Sequence, residues 1–232
     1  MRIVAIDSST DWLSVCASDG SSTVAFRERA GTASSERMLP LVRQALAEAG
    51  WTLAELGGIA YGAGPGSFTG IRIACGVAQG LALGADLPVV GVPTLHAVAH
   101  ACWREHGAQR MLACLDARMR EIYVAFYVRE SGGWRLASGP TVCKPDTLEL
   151  PDTGPWHGAG DGFVAYPALA AGLGLSAVDP AIVPDATSIA ELALPRFAAG
   201  EGLPADQAQP LYVRQRVALT TVERAAGLRL QP

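Results

Sequence analysis

The sequence predicts an α/β protein of two related domains facing each other across a cleft, the second smaller and less regular than the first. The main observation is an internal echo. Arg2-Ile3-Val4-Ala5-Ile6-Asp7, resuming at Leu13 and Val15, lies over Met111-Leu112-Ala113-Cys114-Leu115-Asp116, resuming at Ile122 and Val124, with the two aspartates 109 residues apart. In each copy an apolar run ends in aspartate, a short polar turn follows and alternation resumes, which is the pattern of a β-hairpin. The second observation is that each hairpin is followed by helical periodicity, and strands that alternate with helices pack as layered α/β units. The third is size: of 232 residues half are apolar, enough to bury a sizeable core.

Taken in order, the first hairpin leads to an amphipathic helix over Ser35 to Ala49, with Met38, Leu41, Val42, Ala45 and Leu46 on one face, Gly50 closing it and Pro40 tolerable only near its first turns. Gly58 to Tyr61 reads as a strand and Gly70 to Gly84 as a helix capped by Ser67 or Thr69. Val89 to Val92 is a buried strand before a helix from Thr94 to about Arg104. After the second hairpin, Gly132-Gly133 turns the strand Val124 to Val128 into Trp134 to Leu136. Residues 139 to 187 are proline-rich and loop-like, Gly200 to Pro210 reads as a linker, and the chain from Tyr212 to Pro232 as a polar, extended tail. The boundaries that follow are 1–105, 106–210 and 211–232.

Between the strand and helix of the first domain stands Gly62-Ala63-Gly64-Pro65-Gly66-Ser67-Phe68-Thr69-Gly70-Ile71-Arg72-Ile73, placed where a phosphate loop belongs. Its chemistry does not match one. A P-loop needs Gly-Lys-Ser/Thr after four residues, whereas Gly70 precedes Ile71 and Arg72, and Lys144 is the only lysine of the chain. The dinucleotide fingerprint would want glycine at Ser67, and a hydrolase elbow fails at Pro65. The glycines therefore read as a tight turn with close strand-helix packing, a helix N-terminus that could hold an anion weakly.

A net charge of −4 and the scattering of the arginines leave no basic run of the kind that grips nucleic acid. Cys16, Cys75, Cys102, Cys114 and Cys143 are odd in number and never in Cys-x-x-Cys, which implies reduced thiols and a cytoplasmic setting. His96, His100, Cys102 and His106 fall within eleven residues, but on a helix Cys102 lies about 240° around from His96, so only two ligands converge and no metal is expected. Gly76, Gly80 and Gly84 recur every four residues on one helix face. Each interior glycine costs roughly 1 kcal/mol against alanine, a cost that close approach of another backbone would offset, either the protein's own Ser35 to Ala49 helix or a helix of another chain. Arg72, in the first turn of that helix, is disfavoured by the dipole unless it meets an acid or anion, which a partner's carboxylate would supply.

The paired hairpins resemble those of the actin-like ATPase (ASKHA) superfamily, two ribonuclease-H-like domains in which an Asp-x-Gly turn holds a nucleotide phosphate. Here the turns read Asp7-Ser8-Ser9 and Asp116-Ala117-Arg118, and both have lost the glycine. Together with Ser35-Glu36-Arg37-Met38-Leu39-Pro40, Gly64 to Arg72 and Gly91-Val92-Pro93-Thr94-Leu95, they resemble the TsaB (YeaZ-type) family of bacterial tRNA threonylcarbamoyladenosine biosynthesis proteins. The resemblance runs clearly to about Tyr127 and more loosely beyond. It implies a non-catalytic paralogue of TsaD, without cofactor, which carries vestigial phosphate turns at Asp7, Ser8, Ser9 and Asp116. It also implies pairing with TsaD through first-domain helices (Arg37, Leu41, Ala45, Arg72, Gly76 and Gly80), with TsaE as a further partner, TsaC supplying the activated intermediate, and tRNA met only indirectly. Self-association as a homodimer is implied where TsaD is absent, with room for weak nucleotide binding at the interface. The TsaD histidine pair maps onto Thr94 and Val98, so His96 and His100 are two positions out of register. A small-molecule kinase of the same superfamily and a peptidase are the alternatives.

Overall fold

The computed structural model describes residues 1–214. The expectation of an extended tail falls, for residues 215–232, outside the described residues. Ten strands and six helices follow one another as β1 (Ile3–Asp7), β2 (Trp12–Ser18), β3 (Thr23–Arg29), α1 (Ser34–Ala49), β4 (Gly58–Gly64), α2 (Phe68–Ala85), β5 (Val89–Pro93), α3 (Thr94–His106), β6 (Arg110–Asp116), β7 (Ile122–Glu130), β8 (Gly133–Cys143), β9 (His157–Ala159), α4 (Gly162–Ala165), α5 (Ala168–Leu173), β10 (Ala177–Asp179) and α6 (Ala186–Ala198).

They form two five-stranded sheets, ordered β3-β2-β1-β4-β5 and β10-β9-β6-β7-β8. Read outward from β1 and from β6, the two orders are the same. The echo seen between two hairpins thus extends through every strand: β1 pairs antiparallel with β2 and parallel with β4, as β6 does with β7 and β9. β1 is buried at all five positions, as a central strand covered on both faces must be, and is apolar until Asp7.

The helices are exchanged between the units. α3, which closes the first unit in sequence, packs its Leu95, Val98 and Cys102 into the core of the second sheet. α6, which closes the second, packs Ile189, Ala190 and Ala193 against Ile3, Ala5 and Ala60 of the first. A boundary at residue 105 therefore separates α3 from the sheet it covers, and one at 210 assigns α6 away from its own. Periodicity marks a buried helix face but does not say which sheet buries it.

Local signals fixed most element ends. Ser67 caps α2, its hydroxyl accepting from the Gly70 amide at 3.3 Å, and the left-handed Gly50 (φ 70°) closes α1. α2 is long and apolar enough by length and composition to cross a membrane, yet its Ile71, Ala74, Cys75 and Ala78 are buried within the protein. β8 runs on to Cys143, well past Leu136. The stretch read as a linker is an ordered strap instead: Leu203 bridges Val89, Gln79 Nε2 donates to the Ala208 carbonyl at 3.0 Å, and the Tyr61 hydroxyl donates to the Gln209 carbonyl at 3.1 Å. Its backbone groups are satisfied by the first unit, which a free linker's would not be.

Candidate functional site

A cleft of about 500 Å³ opens between the two sheets, with both hairpin turns on its walls. On the first wall Ser8 and Ser9 are almost wholly buried, and the glycine-rich stretch lies directly on them. The Ser67 amide donates to the Ser9 carbonyl at 2.7 Å, and the Ser8 hydroxyl donates to the Gly70 carbonyl at 2.9 Å. A Cβ on Gly66 or Gly70 would overlap the Ser9 or Ser8 carbonyl oxygen, and one on Gly62 the Asp7 carboxylate. The motif is glycine-rich because two backbones meet there. Two of the amides at the α2 N-terminus are spent inside the protein, that of Ser67 on the Ser9 carbonyl and that of Gly70 on the Ser67 hydroxyl.

Asp7 accepts from the Ser9 amide (3.1 Å) and hydroxyl (2.9 Å) through one oxygen, while the other has no partner. Complete burial pushes its carboxyl up to about 6, against the lowering effect of the Ser9 bonds. On the second wall Asp116 turns back on its own loop, accepting from the Arg118 amide at 2.9 Å and its guanidinium at 3.0 Å. Arg118 sits at φ 59°, the left-handed conformation that the glycine of Asp-x-Gly would adopt freely. Asp161 belongs to this wall: its carboxylate accepts from the Asp116 amide at 3.0 Å, and burial holds it above the usual carboxylate range. In each turn the aspartate thus accepts from the amide and the side chain of the residue two positions on.

The residues assigned to a partner interface divide. Leu41 and Ala45 are 4% and 0% exposed and sit in the core of the first unit, because the stripe that makes α1 amphipathic is the stripe its own sheet buries. They cannot meet a partner, and Leu39 and Arg43 are among the residues α1 turns outward. Arg37 is exposed, with its guanidinium paired to Glu28 at 2.8 and 2.9 Å. Arg72 needs no partner's carboxylate: its Nε donates to the Tyr212 hydroxyl at 2.8 Å, and its guanidinium lies 3.4 Å from the Phe68 ring centre. Gly76, Gly80 and Gly84 are exposed, and among the described residues nothing lies within 4 Å of a Cβ built on any of them, so α1 does not fill this face; Leu83 beside it is 77% exposed.

The TsaD family, tRNA N6-adenosine threonylcarbamoyltransferase, matches residues 27–194. The tRNA threonylcarbamoyladenosine biosynthesis protein TsaB of Escherichia coli (strain K12) is 40% identical over 94% of this chain and 96% of its own, and TsaB of Haemophilus influenzae is 34% identical over 94% and 95%. The chain belongs to the TsaB family. The crystal structure of YeaZ from Pseudomonas aeruginosa superposes with a TM-score of 0.85 at 38% identity, covering 91% of this chain and 99% of that one. The two-sheet fold is accordingly the actin-like, TsaD-type fold expected from the hairpins.

Within that TsaB framework the α3 histidines hold the second unit together. His96 stacks on Tyr127 with ring centres 4.7 Å apart, and burial pushes its imidazole down to about 4. His100 accepts from Trp134 Nε1 at 3.0 Å through Nδ1, which leaves its Nε2 to donate to Glu191 of α6 at 2.7 Å. Among the described residues no three His, Cys, Asp or Glu side chains are grouped to hold a metal ion. The site residue that sequence reasoning missed is Arg214, placed in a tail by its polar neighbours; its guanidinium reaches the Ala117 carbonyl at 3.1 Å and pairs with Glu121.

Proposed function

We propose that this protein acts in tRNA threonylcarbamoyladenosine biosynthesis as a non-catalytic subunit that pairs with TsaD. The observation that carries the reading is the open glycine face of α2: three glycines four residues apart, exposed, and with no neighbour among the described residues to explain them. Small residues at this spacing let a second helix approach to backbone contact, and Leu83 supplies an apolar contact beside them. The interface is centred on Gly76, Gly80, Gly84 and Leu83, with Arg72 and Arg37 at its edge and Leu41 and Ala45 excluded. In the absence of TsaD the same face serves a second copy of the chain. TsaE joins the assembly, TsaC supplies the activated intermediate, and tRNA is met through the complex, in keeping with a net charge of −4.

The engagement of both turns by their own protein supports the lack of turnover. Ser8 and Ser9 hydroxyls, the groups a hydrolase or kinase would draw on at this cleft, are bonded to Gly70 and Asp7. The test is co-purification with the cognate TsaD, then the yield of modified tRNA from TsaC, TsaD and TsaE with and without this chain. Modification that proceeds equally well without it, or ATP turnover near ~1 s⁻¹ by the chain alone, overturns the reading.

A further inference from the structure

Residues 211–214 run along the cleft and are bonded to both of its walls. On the first, the Leu211 amide donates to the Ala63 carbonyl at 2.7 Å, and Tyr212 takes the Arg72 Nε–H while its ring lies 6.3 Å from Phe68. On the second, Val213 packs against the core that contains Leu115, Ala117 and Tyr123. Arg214, its side chain only 14% exposed, donates to the Ala117 carbonyl, reaches the Met119 sulfur at 3.4 Å and pairs with Glu121. Four consecutive residues thus tie together backbone segments that lie 54 positions apart at Ala63 and Ala117.

The turn that Arg214 grips is itself unusual. Arg118, Met119 and Arg120 stand at φ 59°, 55° and 62°, three left-handed non-glycine residues in succession. Side chains disfavour that region, and such a run persists only where its surroundings hold it. The holding groups are the Asp116 carboxylate on Arg118, the Ala117 amide on the Glu121 carbonyl, the Glu121 amide on the Arg118 carbonyl, and Arg214 across Ala117, Met119 and Glu121.

We propose that Leu211–Arg214 is a strap that sets the angle between the two units, with Arg214 as its fastening on the second, and that releasing Arg214 both opens the cleft and relaxes the 118–120 turn. The exchanged helices α3 and α6 join the units through their cores; the strap joins them at the cleft walls, where α3 and α6 supply no lining residue. This rests on intramolecular contacts alone and stands or falls apart from the pairing with TsaD.

Amide hydrogen exchange on the full chain tests it. Arg214→Ala is expected to speed exchange about tenfold both in peptides covering 117–121 and in those covering 63–72 on the opposite wall, and to admit trypsin after Arg118 or Arg120. Tyr212→Ala, which leaves Arg214 in place, is expected to speed exchange at 117–121, on the wall Tyr212 does not bond. Should Arg214→Ala fail to accumulate as folded protein, Glu121→Gln keeps the bond to Ala117 and is expected to loosen the same two regions to a smaller degree. Effects confined to 117–121 in the Arg214 or Glu121 variant, and to 63–72 in the Tyr212 variant, would show two separate local contacts and overturn the strap.

Discussion

Replacing Gly76 or Gly80 by leucine separates a face reserved for a partner from one that packs internally. Both glycines lie inside an 18-residue helix, are exposed, and have no atom within 4 Å of the position a Cβ would take. Leucine at either site therefore meets, among the described residues, nothing at its Cβ. It gains roughly 0.8 kcal/mol of helix propensity over glycine, which for a chain of this length raises the melting temperature by about 2 °C. Were the face filled by a neighbouring helix, overpacking would instead destabilise the protein by about 1 to 3 kcal/mol. For TsaD the sign reverses: a leucine standing between two backbones in contact should weaken association by at least about tenfold, or 1.4 kcal/mol. The assay pairs thermal unfolding over a dilution series with titration of TsaD, and Gly76→Ala serves as the smaller step. A variant that melts higher yet binds TsaD with unchanged affinity would refute the interface assignment. One that melts several degrees lower at every dilution would refute the open face itself.

Other predictions concern the turns and their acids. Gly70→Ala is expected to destabilise by about 2 kcal/mol or more in urea unfolding, because its methyl group meets the Ser8 carbonyl, a backbone atom that cannot step aside; stability equal to wild type would mean the turn and α2 are not in contact. Burial pushes the Asp7 carboxyl from its ordinary 3.8 up to about 6, so the native state holds its proton more tightly than the unfolded chain does. Its contribution to stability is full below about pH 4 and is lost as the pH rises through 6, by about 3 kcal/mol from the size of the shift. Asp7→Asn should accordingly gain on wild type between pH 4 and pH 7 in denaturant titrations, and parallel pH profiles would contradict the buried acid. Trp134→Phe removes the donor to His100 Nδ1 and is expected to cost about 1 to 2 kcal/mol, read by urea unfolding, with a neutral result showing that the α3 histidine is not held by that bond.

How much of this was legible in the sequence depends on the range of the signal. The hairpins, the α1 stripe and the Ser67 cap are local patterns, and each element they mark is present. The exchange of α3 and α6 is a decision between two equally apolar sheet faces, and nothing within either helix encodes it. Leu41 and Ala45 show the same limit from the other side: a residue that helps to make a helix amphipathic is by that fact a candidate for its own core, so it should not also have been given to a partner. Arg72 was read as lacking a counter-group because its partner, Tyr212, stands 140 positions away. Asp161 and Arg214 were hidden for the same reason, since their roles exist only once the second hairpin turn has been folded against them.

The glycine-rich stretch shows why the site was harder to read than the fold. Two explanations predict the same composition, a backbone approaching a phosphate and a backbone approaching another backbone, and both call for glycine at the end of a strand before a helix. What separates them is the destination of the amides. Here the Ser67 amide ends on the Ser9 carbonyl and the Gly70 amide on the Ser67 hydroxyl, while the one unpartnered oxygen at the turn belongs to Asp7, an acid that burial pushes toward its neutral form. A phosphate brought to the Ser67 or Gly70 amide would displace a bond already made, on a wall that also carries a carboxyl group able to ionise. Gly76, Gly80 and Gly84 further along α2 are different in kind, because among the described residues no atom lies within 4 Å of a Cβ built on them. Glycines in the loop answer to the chain's own first turn, and glycines on the helix are the ones we propose for a partner.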